Sequence, residues 1–141
     1  MTGSKMQRKN VSSGTQWELA LGYSRVVRLG DSVYVSGTTA TDKEGHIVGV
    51  ANPYAQTIQV IKNIQTALQA VGASLKDVVR TRMYVTDINN WKKVGQAHAE
   101  FFKEIRPAST LVEVSRLINP EILVEMEVHA IIVNTSQYEI K

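Results

Sequence analysis

Between Asn52 and Gly72 the chain carries the start, period and stop of one long amphipathic helix. Asn52 has a side chain that can accept from the free amides of a first turn. Pro53 suits the first helical position, where its missing N–H costs nothing. Tyr54, Ile58, Ile61, Ile64, Leu68 and Val71 then recur three or four residues apart, and Gly72 ends the run. Such a stripe must be buried, and the flanking segments indicate on what. Tyr23–Leu29 and Ser32–Ser36 are β-branched or aromatic runs around Gly30-Asp31, a hairpin turn. Lys43–His46 reads as a second turn before a short apolar run, Ile47–Val50. Val78–Thr86 reads as a strand. A second helix follows Asn89-Asn90, with Trp91, Val94, His98, Phe101 or Phe102, and Ile105 at helical spacing, and Pro107 ends it. Strands near Thr110–Leu117 and Leu123–Val133 flank an Asn119-Pro120 turn. The class is α+β: one mixed sheet of five or six strands with two helices on one face. The other face needs a partner, and for so small a chain a second copy is the economical one.

At 141 residues the chain is one domain with room for a real core. Residues 1–15 read as a flexible basic arm and 16–141 as the domain. The formal charge is +3, but Lys5, Arg8 and Lys9 lie in the first ten residues with no acid among them. The remainder is balanced, which gives little warrant for phosphate-backbone binding. The absence of cysteine removes disulfides, thiolate nucleophiles and thiolate zinc sites. No apolar run approaches the roughly 18 residues of a membrane span, and no secretory leader is evident. A cytoplasmic protein is expected; an acid-free, Ser-containing N-terminus is also compatible with a mitochondrial leader. There is no Gly-rich phosphate loop, nucleophile elbow or nucleic-acid motif.

The order of elements, with its local sequences, resembles the RidA/YjgF family. The matching pieces include Gly22-Tyr23, Val35-Ser36-Gly37, Gln56 with Asn63-Ile64, and Leu68–Ala73. They continue with Asp77–Thr81, Tyr84–Asp87, Phe101-Phe102, Pro107-Ala108, Val112–Leu117 and Val124–Glu127, so they span roughly residues 20–133. The resemblance implies a chorismate-mutase-like fold, a homotrimer and ligand clefts between subunits. It implies hydrolysis of reactive enamines and imines such as 2-aminoacrylate, with no metal or organic cofactor. Other members carry ribonuclease or translation-inhibitor labels, so RNA cleavage or binding is a further reading. A non-catalytic small-molecule-binding or protein-interaction trimer is another.

By the same resemblance, Tyr23, Ser36 and Glu125 match the tyrosine, serine and glutamate of the deaminating members. Their carboxylate-binding arginine follows Pro-Ala directly, whereas here Ser109 and Thr110 follow Pro107-Ala108. A hydroxyl cannot reproduce a bidentate guanidinium contact. Losing such a contact costs on the order of 2–5 kcal/mol, so 2-aminoacrylate is not the expected substrate.

From alternation alone, Glu125, Glu127 and His129 share one face of the last strand and Val124, Met126, Val128 and Ala130 the other. Glu125 is the candidate to direct water onto an imine carbon; a solvated or ion-pairing face is the alternative, and a metal held by the stripe a further one. Arg80 and Arg82 share a face with Tyr84, opposite Val79, Thr81, Met83 and Val85. Arg82 is the candidate to supply the missing guanidinium, against an ordinary ion-pairing role. Ser109 and Thr110 could hydrogen-bond a neutral or larger substrate. Gly37 suits a bulge or the close approach of a ligand. His98, on the apolar stripe of the second helix, reads as a buried, hydrogen-bonded histidine. His46 and Gly45 belong to a turn.

Overall fold

A computed structural model describes residues 6–133. Six strands form one mixed sheet: β1 (Arg8–Val11), β2 (Val26–Leu29), β3 (Ser32–Thr38), β4 (Val78–Val85), β5 (Ala108–Glu113) and β6 (Val124–Ile131). Their order across the sheet is β1-β2-β3-β6-β4-β5. The helices are α1 (Gln16–Leu21), α2 (Pro53–Ala70) and α3 (Trp91–Phe102). β4 and β5 are parallel, joined through α3, and every other pairing is antiparallel. The last strand in sequence therefore lies in the centre, between β3 and β4.

The long helix forms where its caps place it. Asn52 Oδ1 accepts from the Ala55 amide at 3.0 Å, and Gly72 turns the chain away at φ +83°. Its buried stripe runs through Pro53, Gln56, Thr57, Val60, Ile61, Ile64, Ala67 and Leu68, which leaves Tyr54 and Ile58 at the margin. The stripe meets Val33 and Val35 of β3, Met83 and Val85 of β4, and Met126, Val128 and Ala130 of β6. Gln56 is the polar member of this core and is fully buried. Its amide donates to the carbonyls of Gly49 (3.2 Å) and Glu121 (2.8 Å) and accepts from the Leu123 amide (2.9 Å). Gln56→Leu keeps the volume and strands three backbone groups. It should lower the unfolding free energy by about 2–4 kcal/mol in urea titrations, with the denaturant slope unchanged.

Five expectations are corrected. The arm is not free along its length: Arg8–Val11 pair with β2, Arg8 Nε donates to Asn10, and Lys9 Nζ donates to the Ala70 carbonyl. Residues 1–5 of that arm lie outside the described residues. The sixth strand is therefore β1, because Ile47–Val50 contributes only an isolated bridge, Thr41 with Ile47. The second helix stops at Phe102, before Pro107, and Arg106 takes a left-handed φ of 55°. Trp91, at its first turn, is half exposed rather than part of the buried stripe. Finally, the register shift between Val78 and Arg80 makes Val79 an extra residue, so it does not share the face of Thr81, Met83 and Val85.

The helices cover one face of the sheet. On the other lie Tyr34, Arg80, Arg82, Tyr84, Glu125, Glu127 and His129, and no helix among the described residues covers them. No helix there is long and apolar enough to cross a membrane.

Candidate functional site

Glu125 projects from the central strand β6 on the uncovered face. It is opposite Tyr84 of β4 and beside the irregular end of β3, where the pairing shifts between Val35 and Thr38. The shift brings Gly37 under the carboxylate: a Cβ built on Gly37 would sit 2.5 Å from Glu125 Oε2 and 3.0 Å from its Cδ. The irregular pairing fits the bulge expected at Gly37, and the group that comes close to this residue is Glu125. Burial pushes the Glu125 carboxyl above its ordinary range; the Arg25 guanidinium opposes the shift and the Glu127 charge adds to it.

Ser36 and Tyr23 flank this spot. Ser36 Oγ donates to the Ser24 carbonyl at 2.6 Å and its amide donates to the Arg25 carbonyl, which ties β3 to the segment entering β2. Tyr23 is partly exposed, and its ring centroid lies 5.8 Å from the Arg25 guanidinium carbon.

Ser109 and Thr110 lie elsewhere in the protomer. Ser109 pairs in register with Thr81, whose hydroxyl donates to Ser109 Oγ at 2.8 Å. Thr81 is fully buried on the helix-covered side and also lies 3.0 Å from His98 Nε2. Thr81 Oγ1 thus links Ser109 to the His98 ring. Burial pushes the His98 pKa down, in keeping with a neutral ring packed on Phe102. Thr110 pairs with Arg82, and Arg82 pairs with Glu127. Arg82 therefore lines a small concavity of about 160 Å³ with Tyr34, Arg80, Glu127 and His129. The metal stripe does not converge: Glu127 accepts from Tyr84 Oη, and His129 stacks on Tyr34 at 4.5 Å. Among the described residues only Asp42, Glu44 and His46 bring ligand atoms together, in an exposed turn. A shallower depression near the starts of α2 and α3, about 460 Å³, holds none of the candidate residues.

Sequence reasoning missed the pair that frames Glu125 from below. Arg25 Nη1 donates to Gly37 O at 2.7 Å and to Thr38 Oγ1 at 3.0 Å, and Arg25 Nε faces Glu18 Oε2 at 3.4 Å. Glu18 is the buried residue of α1. It accepts from Ser12 Oγ (2.6 Å), the Ser13 amide (2.7 Å), Ser13 Oγ and Thr15 Oγ1 (2.9 Å). Burial works to raise its pKa, and these donors outweigh it and hold the group at about 2. The one available sign was Ser12, Ser13 and Thr15 spaced just ahead of Glu18, the lone charge in the stretch Gln16–Leu21.

Comparison with known proteins agrees with this architecture. A family model described as Endoribonuclease L-PSP matches residues 15–132. A RutC family protein of Pyrococcus abyssi is 38% identical over 105 residues, 74% of this chain and 82% of that protein. An uncharacterized protein of Streptomyces coelicolor is 37% identical over 130 residues, 92% of this chain and 95% of its own. Among solved structures, Rv2704 of Mycobacterium tuberculosis, a member of the YjgF/YER057c/UK114 family, superposes with TM-score 0.82 at 47% identity. That match covers 89% of this chain and all of Rv2704. The YjgF gene product of E. coli superposes with TM-score 0.74 at 26% identity over 92% of this chain and 98% of its own. The chain belongs to the RidA/YjgF family.

Proposed function

We propose that the chain hydrolyses an imine, enamine or related C–N bond of a small metabolite, with Glu125 directing the attacking water. The observation that carries this reading is the Glu125 carboxylate over Gly37. It is half-buried, has no hydrogen-bond partner among the described residues, and burial holds its pKa above the ordinary range. A general acid–base wants a pKa moved toward neutrality and carboxylate oxygens not already engaged; the raised pKa and the lack of a hydrogen-bond partner among the described residues support that role. Water attacks the carbon of the protonated imine as Glu125 takes the water's proton, which gives a neutral carbinolamine. Glu125 returns that proton to nitrogen, and the hydroxyl proton goes to the departing amine as the C=O forms, so the amine leaves as ammonium and the carboxylate is regenerated.

Tyr23, Ser36 and Gly37 form the walls near Glu125, while Ser109 and Thr110 reach a cleft only from a neighbouring copy. A homotrimer supplies that arrangement and covers the sheet face carrying Tyr34, Arg82 and Tyr84. 2-Aminoacrylate is expected to be a poor substrate, because Ser109 offers no guanidinium. A second reading, ligand binding without turnover, is favoured by Ser109 being engaged with Thr81.

The test is release of ammonia and carbonyl product from a panel of imines and enamines generated in place, with light scattering for the trimer. Turnover lost in Glu125→Gln supports the hydrolase. Binding across the panel with no Glu125-dependent product supports the second reading and rejects the first.

A further inference from the structure

We infer that Arg25, set in place by Glu18, is the anion-recognition residue of the Glu125 cleft, and that the favoured ligand carries a carboxylate or similar oxyanion. This rests on the reading of the cleft given above. Arg25 and Glu125 meet at the same residue from two sides: the guanidinium holds the Gly37 carbonyl, and the carboxylate lies over the Gly37 Cα. No hydrogen bond or ion pair joins the two among the described residues, so each keeps capacity for a third party.

The donors of Arg25 can be accounted for one by one. Nε faces Glu18, and both Nη1 protons go to Gly37 O and Thr38 Oγ1. The protons on Nη2 have no partner among the described residues. They belong to a side chain that is 15% exposed and bordered by Tyr23, a candidate cleft wall. Glu18 does not use up the cation's capacity, because its own oxygens are met by three hydroxyls and the Ser13 amide. Its effect is to fix the guanidinium plane, and a fixed, partly desolvated guanidinium is a strong oxyanion donor.

The direction of approach also bears on substrate choice. Arg25 belongs to the same protomer as Glu125 and lies on the β2 side of β6, whereas Ser109 would reach that cleft from a neighbouring copy. A ligand anchored at Arg25 therefore holds its anion on the Gly37 side of Glu125, and not where a group from the neighbouring copy would hold it. This selects a substrate whose anion-to-imine spacing is not that of 2-aminoacrylate.

The experiment titrates the full chain with 4-oxopentanoate and with 4-oxopentanamide, whose carboxylate or amide is set two methylenes from the carbonyl, following the Gly37 amide by NMR. The comparison variant is Glu18→Gln/Arg25→Gln, which removes both charges together and keeps amide hydrogen bonding; a thermal melt checks its fold, and Arg25→Lys with Glu18 intact is the second variant. The expected result is at least tenfold tighter binding of the carboxylate than of the amide, a preference lost in the double variant and weakened in Arg25→Lys, with amide affinity unchanged. Equal binding of the two ligands by the parent protein, or a preference that survives both variants, overturns the role of Arg25 and leaves the cleft reading intact. No shift at Gly37 with either ligand overturns the cleft reading and the role of Arg25 with it.

Discussion

Glu18→Ala is expected to lower the unfolding free energy by about 3–5 kcal/mol, the range seen when one partner of a buried pair is removed. The residue is 2% exposed, and the substitution leaves Arg25 desolvated without its counter-charge. It also unties α1. That helix buries nothing else: Trp17, Leu19 and Leu21 are 49%, 90% and 70% exposed, so its hold on the body runs through one carboxylate. The pH dependence has a definite sign. The folded pKa of about 2 lies below the ordinary 4.5, so the native state binds this proton more weakly. The contribution is full above pH 4.5 and is lost as pH falls toward 2, on the order of 3 kcal/mol across that window. Urea titrations of the parent and Glu18→Gln should therefore converge as pH falls from 5 to 2. A gap that stays constant over that range would contradict the assignment.

The contrast between α1 and α2 explains what was legible in the sequence. α2 follows the ordinary rule, apolar residues inside at helical spacing between an Asn cap and a Gly stop, and its bounds could be read directly. β6 likewise alternates, and its buried and half-buried positions follow that alternation. α1 inverts the rule by burying its acid and exposing its apolar side chains, so periodicity gave no reason to draw a helix there. β1 is Arg-Lys-Asn-Val on a sheet edge, mostly exposed, and composition assigned it to an arm. Both are held by partners outside their own segment that its pattern cannot reveal: β2 for one, Arg25 for the other.

The site divides in the same way. Tyr23, Ser36, Gly37 and Glu125 carry the family resemblance, and they gather around one end of β3. Arg25 was hidden because alternation assigned it only a place in a strand, while its meaning comes from Glu18 seven residues earlier and Gly37 twelve later. Arg82 was the guanidinium that alternation offered, since it shares the outer face with Glu125. Its register partner is Glu127, and it lies in the Tyr34–His129 concavity, two residues along β6. A face is a period-two property; a position along the strand depends on register, which only the pairing fixes.

Glu125→Gln is expected to reduce turnover by about 10²–10⁴-fold, the usual worth of a positioned general acid–base group. The same substitution should raise stability at neutral pH. Burial makes the charged form of Glu125 unfavourable, so its folded pKa lies above the ordinary 4.5 and the native state binds this proton more tightly than the unfolded chain. Its contribution therefore falls as pH rises from 4.5 through the folded value, and the variant, with nothing to ionise, escapes that loss. Stability curves of parent and variant should separate on going from acid to neutral pH, opposite in direction to the Glu18 pair. Gly37→Ala reaches the same carboxylate without altering it. The new Cβ would stand 2.5 Å from Oε2, but that oxygen ends a flexible side chain, so Glu125 swings aside rather than the backbone yielding. Turnover should fall nearly as far as in Glu125→Gln, while the unfolding free energy changes by no more than about 1 kcal/mol. Kinetics and urea titrations on the two variants check both halves. If Gly37→Ala keeps parental turnover, the chemistry does not depend on where the Glu125 carboxylate lies, and the acid–base role fails with it.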